Sequence, residues 1–268
     1  MEGGKVDFLN KVILDSTVTN SQKVKCVYDK LKNLSNTIFD DIINNHFDSA
    51  KNANIRFEIG NTPGGEDAIT LPYIGNPNDI FSTSNYKIII NSNIVNNLST
   101  IEIALIFIHE SIHAELFERC FRLGLISAIT FDNGLPKVYF SSNPNIPYSI
   151  SNIIFSALAI QYYNNGQNSQ WNHDLFTIGN HRERMAQNLI DIHQQLNDPN
   201  NDFLTNVNND PNAVGTPYTI QQLMNYISWI GLEGTQDYIN TIQNNVLELQ
   251  KKQYVESATR TKYTHNCN

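Results

Sequence analysis

The chain has 268 residues, 40% of them hydrophobic, enough to bury the core of one large domain. Its 26 acidic side chains outnumber 18 basic ones, giving a formal charge of −8 without any long run of Lys or Arg. No basic stripe exists to neutralise phosphates, so nucleic acid, anionic membrane surfaces and acidic substrates are all disfavoured as partners.

The start, "MEGGKVDFLNKVILDS", has no apolar core and no small-residue cleavage site, and no apolar stretch of about 18 residues follows it. The chain as given is expected to be soluble, without a signal peptide or membrane span; an exported protein trimmed of its leader would read the same way. Cys26, Cys120 and Cys267 are odd in number, far apart and without a CxxC pair, so they are expected to be idle thiols rather than a disulfide framework or a thiolate zinc site.

Apolar residues at Val24, Val27, Leu31, Leu34, Ile38, Ile42 and Ile43 follow a helical period broken near Ser35 and Asn36, which predicts a helical pair over 21–50. "NIRFEI" (54–59) and "YKIII" (86–90) are β-branched or aromatic runs bounded by turn residues and read as strands. The Gly/Pro/Asn-rich loop between them has room for one short strand. Ser99-x-x-Glu102 is a capping box ahead of "IEIALIFIHESIHAELFERCFRLG", which predicts a helix from about 100 to 122 stopped by Gly124.

"YSISNIIFSALAIQYY" (148–163) predicts a buried helix. Leu175, Ile178, Arg182, Met185, Leu189, Ile192 and Leu196 alternate spacings of three and four, which predicts one long amphipathic helix over 174–196 with Gly179 its weak point. A polar loop over 197–217, helices near 218–230 and 235–252, and a frayed tail after about 258 complete the expectation. Helices, then two or three strands, then helices make an α+β fold: a small sheet beside a helical body, as a single domain over 1–268.

The chemistry concentrates in "HESIH". On a helix, residues four apart share a face, so His109 and His113 can converge on one metal ion while Glu110 projects beside it. Two neutral imidazoles can hold Zn²⁺ with an open position, the metal acidifies its bound water, and the carboxylate takes that water's proton. The motif is flanked by Ile106, Phe107, Ile108 and Ile112, and unpaired charge in such a setting costs several kcal/mol unless something compensates it. A third protein ligand is needed. Position alone leaves His173, just before the long helix, and His181, within it, equally open, with Glu183 the acidic candidate. His46 and His265 read as surface residues and His193 as a histidine flanking the core. Tyr162, Tyr163 and His181 are the candidates for stabilising an oxyanion.

These residues resemble a known family. "HESIHAEL" is similar to the HE-x-IHA signature of SprT-like zinc metallopeptidases. "KVKCVYDKL", "YKIIINSNIVNNLSTIEIALIFIHESIHAEL", "YYNNGQNSQWNHDLFTIGNHRERMAQNLIDI" and "ISWIGLEGT" resemble segments of a bacterial group of these proteins, from about 20 to 240. The resemblance implies a zincin-type metallopeptidase fold, zinc on His109, His113 and His173, and Glu110 as the catalytic base acting on a peptide or protein substrate. Aligning "NHRERMAQNL" with the family's helix requires one residue inserted after His173, so His181 stays the alternative third ligand. Ser111 stands where the family commonly has a larger apolar residue. The DNA-crosslink role of the best-known relatives does not carry over, because the chain has no basic patch and no zinc-finger spacing. Two other readings remain: a non-catalytic binding protein retaining the metallopeptidase scaffold, and a metal-dependent hydrolase of a non-peptide substrate. The start of the chain does not separate a cytoplasmic protein from the mature part of an exported bacterial one.

Other patterns carry less. Asp198-x-Asn200-x-Asp202 begins like a calcium loop, but Phe203 replaces the turn glycine and no closing glutamate follows. No GxSxG elbow and no phosphate-binding P-loop occur.

Overall fold

A computed structural model describes residues 12–47, 53–72, 84–122, 125–132, 135–140, 171–178, 180–215, 217–264 and 267. The helix expected over 148–163, the stop at Gly124, and Gly179, Tyr162, Tyr163 and His265 lie outside these residues.

The fold is α+β. Strands β1 (Val12–Leu14), β2 (Ala53–Gly60), β3 (Ala68–Pro72) and β4 (Ser84–Asn91) form a sheet in the order β1-β2-β4-β3. The first, second and fourth run parallel, whereas β3 is antiparallel to β4, with Thr70 opposite Ile88. In β2, Ala53, Ile55 and Phe57 are fully buried and alternate with part-exposed neighbours, as a strand with one covered face requires. The sequence pattern anticipates β2, β4 and the short strand between them. It does not show β1, which is only three residues long, nor the hairpin of β5 (Ile126–Asp132) and β6 (Leu135–Phe140).

Helix α1 (Ser16–Thr19) leads into α2 (Gln22–Lys32); α3 (Ile38–Ile42) continues into a wider π turn to Phe47. The break between α2 and α3 is sharp because Asn36 takes a left-handed φ of 61°, which asparagine tolerates better than most residues. Helix α4 (Thr100–Arg122) begins as its capping box dictates: the Ser99 N–H donates to Glu102 Oε2 at 2.7 Å, and the Glu102 N–H donates to Ser99 Oγ at 3.3 Å. From Ile101 to Cys120 every side chain is buried except the half-buried Ile106 and Arg119. Such a helix has no solvent face; α4 is packed against β3, β4, α2, α3 and the later helices together. Tyr28 of α2 and Phe57 of β2 meet Phe107 with ring centroids 5.6 and 5.3 Å apart, which seats α4 between the sheet and the first helices.

Five expectations need correction. The helix expected over 174–196 is two, α5 (Trp171–Ile178) and α6 (His181–Leu196), separated by Asn180 at φ 58°. The period survives the break because both helices bury their apolar stripes, so periodicity alone could not reveal it. The polar loop over 197–217 contains α7 (Phe203–Asn208), capped by Asp202. The helices expected near 218–230 and 235–252 are α8 (Ile220–Ile227), the short α9 (Gln236–Tyr238) with a π turn after it, and α10 (Val246–Lys262). The tail is not frayed: α10 continues past 258, and Val255, Ala258, Tyr263 and Cys267 are all buried. Finally, Cys26 and Cys267 are not idle thiols but a disulfide, their Cα atoms 5.7 Å apart across 241 residues of sequence. Spacing in sequence says nothing about such a pair, because tertiary packing of the last residues against α2 creates it. Cys120 is the buried free thiol.

Candidate metal centre

Helix geometry brings His109 and His113 one turn apart, and their Nε2 atoms lie 3.0 Å from each other. The turn at Asn180 lets α5 approach the same point, so His173 joins them: the ligating atoms of His109, His113 and His173 all lie within 4.8 Å of one another. His173 stands 5.6 Å from His109 and 4.9 Å from His113, centroid to centroid. Phe176, one turn after His173 and fully buried, backs all three rings at 4.8, 4.9 and 6.0 Å.

His181, the alternative third ligand, is outside this trio. It is buried, its ring 6.4 Å from the Phe176 phenyl, and its Nδ1 has no hydrogen-bond partner. Glu183 is also elsewhere, paired with Arg182 at 2.7 Å near the surface. His46 is not a surface residue; it lies 3.5 Å from the largely buried Glu115. His193 is buried beside α10, its Nδ1 3.0 Å from the Tyr263 hydroxyl.

The trio is suited to hold a cation. Burial pushes His109 down to about 3, helped by the nearby His173, and pushes His113 well below the ordinary imidazole value. His173 is lowered for the same reason, against the opposing pull of Glu233 and Asp174. All three rings are therefore neutral near pH 7, the form that ligates. Two neutral Nε2 atoms 3.0 Å apart in a buried site, joined by a third imidazole in a cluster that among the described residues holds only histidines, fit a divalent cation that prefers nitrogen.

Glu110 is buried beside the trio. Burial raises its carboxyl to about 7, with Glu66 adding to the effect and the hydrogen bond from Thr70 opposing it. The Thr70 hydroxyl lies 2.8 Å from both the carbonyl oxygen and Oε2 of Glu110 and donates its single proton to one of them at a time. The edge strand of the sheet thereby fixes the carboxylate's direction.

Three residues at the site carry no sequence signal strong enough to find them. Thr70 is one polar residue in a short strand. Phe176 reads as an ordinary core position. Gly231, at φ 86°, sits so close to His109 that an added Cβ would lie 3.0 Å from Cε1 of the ring. A further link closes the centre: the Gln236 N–H donates to Asp174, the neighbour of His173, at 3.2 Å.

Among the described residues no helix is long and apolar enough to cross a membrane. Compared with family models, curated proteins and solved structures, the chain matches none.

Proposed function

We propose that the chain is a zinc-dependent metallopeptidase of zincin type, similar to the SprT-like group, hydrolysing peptide bonds in a peptide or protein substrate. The single observation that carries the reading is the convergence of His109, His113 and His173 beside a buried Glu110. His109, His113 and His173 would hold the zinc, leaving a fourth position open. When bound, zinc would supply Lewis acidity to the scissile carbonyl and lower the pKa of water toward about 7.

The rest is work for the chain's own residues. Thr70 Oγ1 holds Glu110 Oε2, which leaves Oε1 to take the proton of the attacking water and pass it to the departing amine. With the imidazoles committed to the metal, Glu110 is the neighbouring base assigned to the water, and the fully buried Phe176 walls one side of the ligands.

Zinc-loaded protein is expected to cleave an unstructured protein such as casein and to stop when zinc is chelated. Glu110→Gln should retain the metal and lose about 10²- to 10⁴-fold in rate, the usual contribution of a positioned base. Full activity in that variant would remove Glu110 from the reaction.

A further inference from the structure

The segment Ser228–Gln236 links His109 to the helix that carries His173 in a way the peptidase reading does not require. It is a tight structure: the Leu232 N–H donates to the Trp229 carbonyl at 3.0 Å, the Thr235 N–H to the Leu232 carbonyl at 3.0 Å, and Leu232 and Thr235 are fully buried. It is also anchored at both ends. Arg182 of α6 lies 4.4 Å over the Trp229 ring and donates to Ser228 Oγ at 3.2 Å, and the Gln236 N–H holds Asp174 of α5. At the middle of this rigid turn Gly231 presents bare backbone to His109. A Cβ built there would lie 3.0, 3.5 and 3.6 Å from Cε1, Nδ1 and Nε2, over the ring itself. The imidazole has little room to retreat, because Phe176 and His113 already stand 4.8 Å away.

We propose that Gly231 is a positioning residue for the metal centre: the turn it occupies sets the place of the His109 ring, while the same turn, through Gln236, fixes the helix that carries His173. The inference rests on the metal reading and adds to it the device that holds two ligands from different helices in register. A side chain at 231 displaces His109 and loosens the metal.

The test separates this contact from backbone strain. Gly231→Ala adds the Cβ and strains the left-handed backbone, whereas Gly231→Asn adds the same Cβ with a side chain that tolerates positive φ. Gly215→Ala is the control, a left-handed glycine at φ 77° whose added Cβ meets the flexible Lys251 chain instead of a site residue. Zinc affinity is measured by competition with a chromophoric chelator, the absorption bands of the Co²⁺-loaded proteins report ligand geometry, and circular dichroism of the chelator-treated proteins reports the fold.

Both Gly231 variants should bind zinc about 10- to 100-fold more weakly than wild type, the range for groups that orient a ligand, with altered Co²⁺ bands and unchanged metal-free dichroism. Gly215→Ala should match wild type. Wild-type affinity in Gly231→Asn overturns the inference, since strain alone would then explain the alanine variant. An equal loss in Gly215→Ala overturns it too, as does unfolding of both Gly231 variants without metal, which would make Gly231 a folding residue. If Gly231→Ala alone unfolds, weak binding by Gly231→Asn supports the proposal. Wild-type protein that takes up neither metal overturns the metal reading and this inference together.

Discussion

Replacing Glu110 by glutamine should change how the stability of the metal-free protein depends on pH. Burial raises the Glu110 carboxyl from 4.5 to about 7, and at 1.36 kcal/mol for each pH unit that gap corresponds to about 3 kcal/mol. The sign follows from proton binding: the folded protein holds this proton more tightly than the unfolded chain. The penalty is absent below about pH 4.5, grows as pH rises, and is complete above about pH 7. Glutamine does not titrate. Its amide leaves a buried N–H to satisfy, but that cost, about 1–3 kcal/mol, is the same at every pH. The three ligand histidines titrate in both proteins and cancel in the comparison. Urea unfolding in the presence of a chelator, from pH 4 to pH 8 with the disulfide intact, should therefore show the stability of Glu110→Gln relative to wild type increasing by about 3 kcal/mol across the range. A difference that stays flat with pH would refute the account of Glu110 as a carboxylate whose charge is penalised by burial.

Other perturbations separate the parts of the site. Thr70→Val keeps the shape of the side chain and removes the donor to Glu110; at about 1.5–3 kcal/mol for a hydrogen bond to a charged group, turnover should fall about 10- to 150-fold with zinc content unchanged, and Thr70→Ser should restore it. Metal analysis should find His173→Ala depleted of zinc and His181→Ala loaded like wild type; the opposite result would move the third ligand to His181. Cys267→Ser should lower stability by about 2–5 kcal/mol in equilibrium unfolding, because the lost crosslink closes a very long loop, and an unchanged midpoint would show that α10 holds the tail unaided.

Much of this was legible in the sequence where the determining forces are local. Helix α4 follows from its capping box and continuous apolar flanks, and the alternation in β2 follows from one covered face. The one-turn spacing of His109 and His113 is a property of any helix, so their convergence needs no tertiary information. His173 is different. Whether it or His181 faces the pair depends on the left-handed backbone at Asn180, and a period of three and four passes through that point without interruption. The disulfide, the helical tail and the contact between Gly231 and His109 depend on segments far apart in sequence, and no pattern of spacing encodes them. The helix inside the loop over 197–217 was obscured because its six residues include only three apolar ones amid asparagines, which ordinarily favour turns.

The bond between Cys26 and Cys267 bears on how cleavage of this protein would be seen. Any cut in the surface segments between those residues leaves the two pieces covalently joined. If the chain nicks copies of itself, a denaturing gel without reductant will show one band at full mass, and only a reduced sample will reveal the fragments. An autolysis experiment read without reductant would thus record a peptidase as inert.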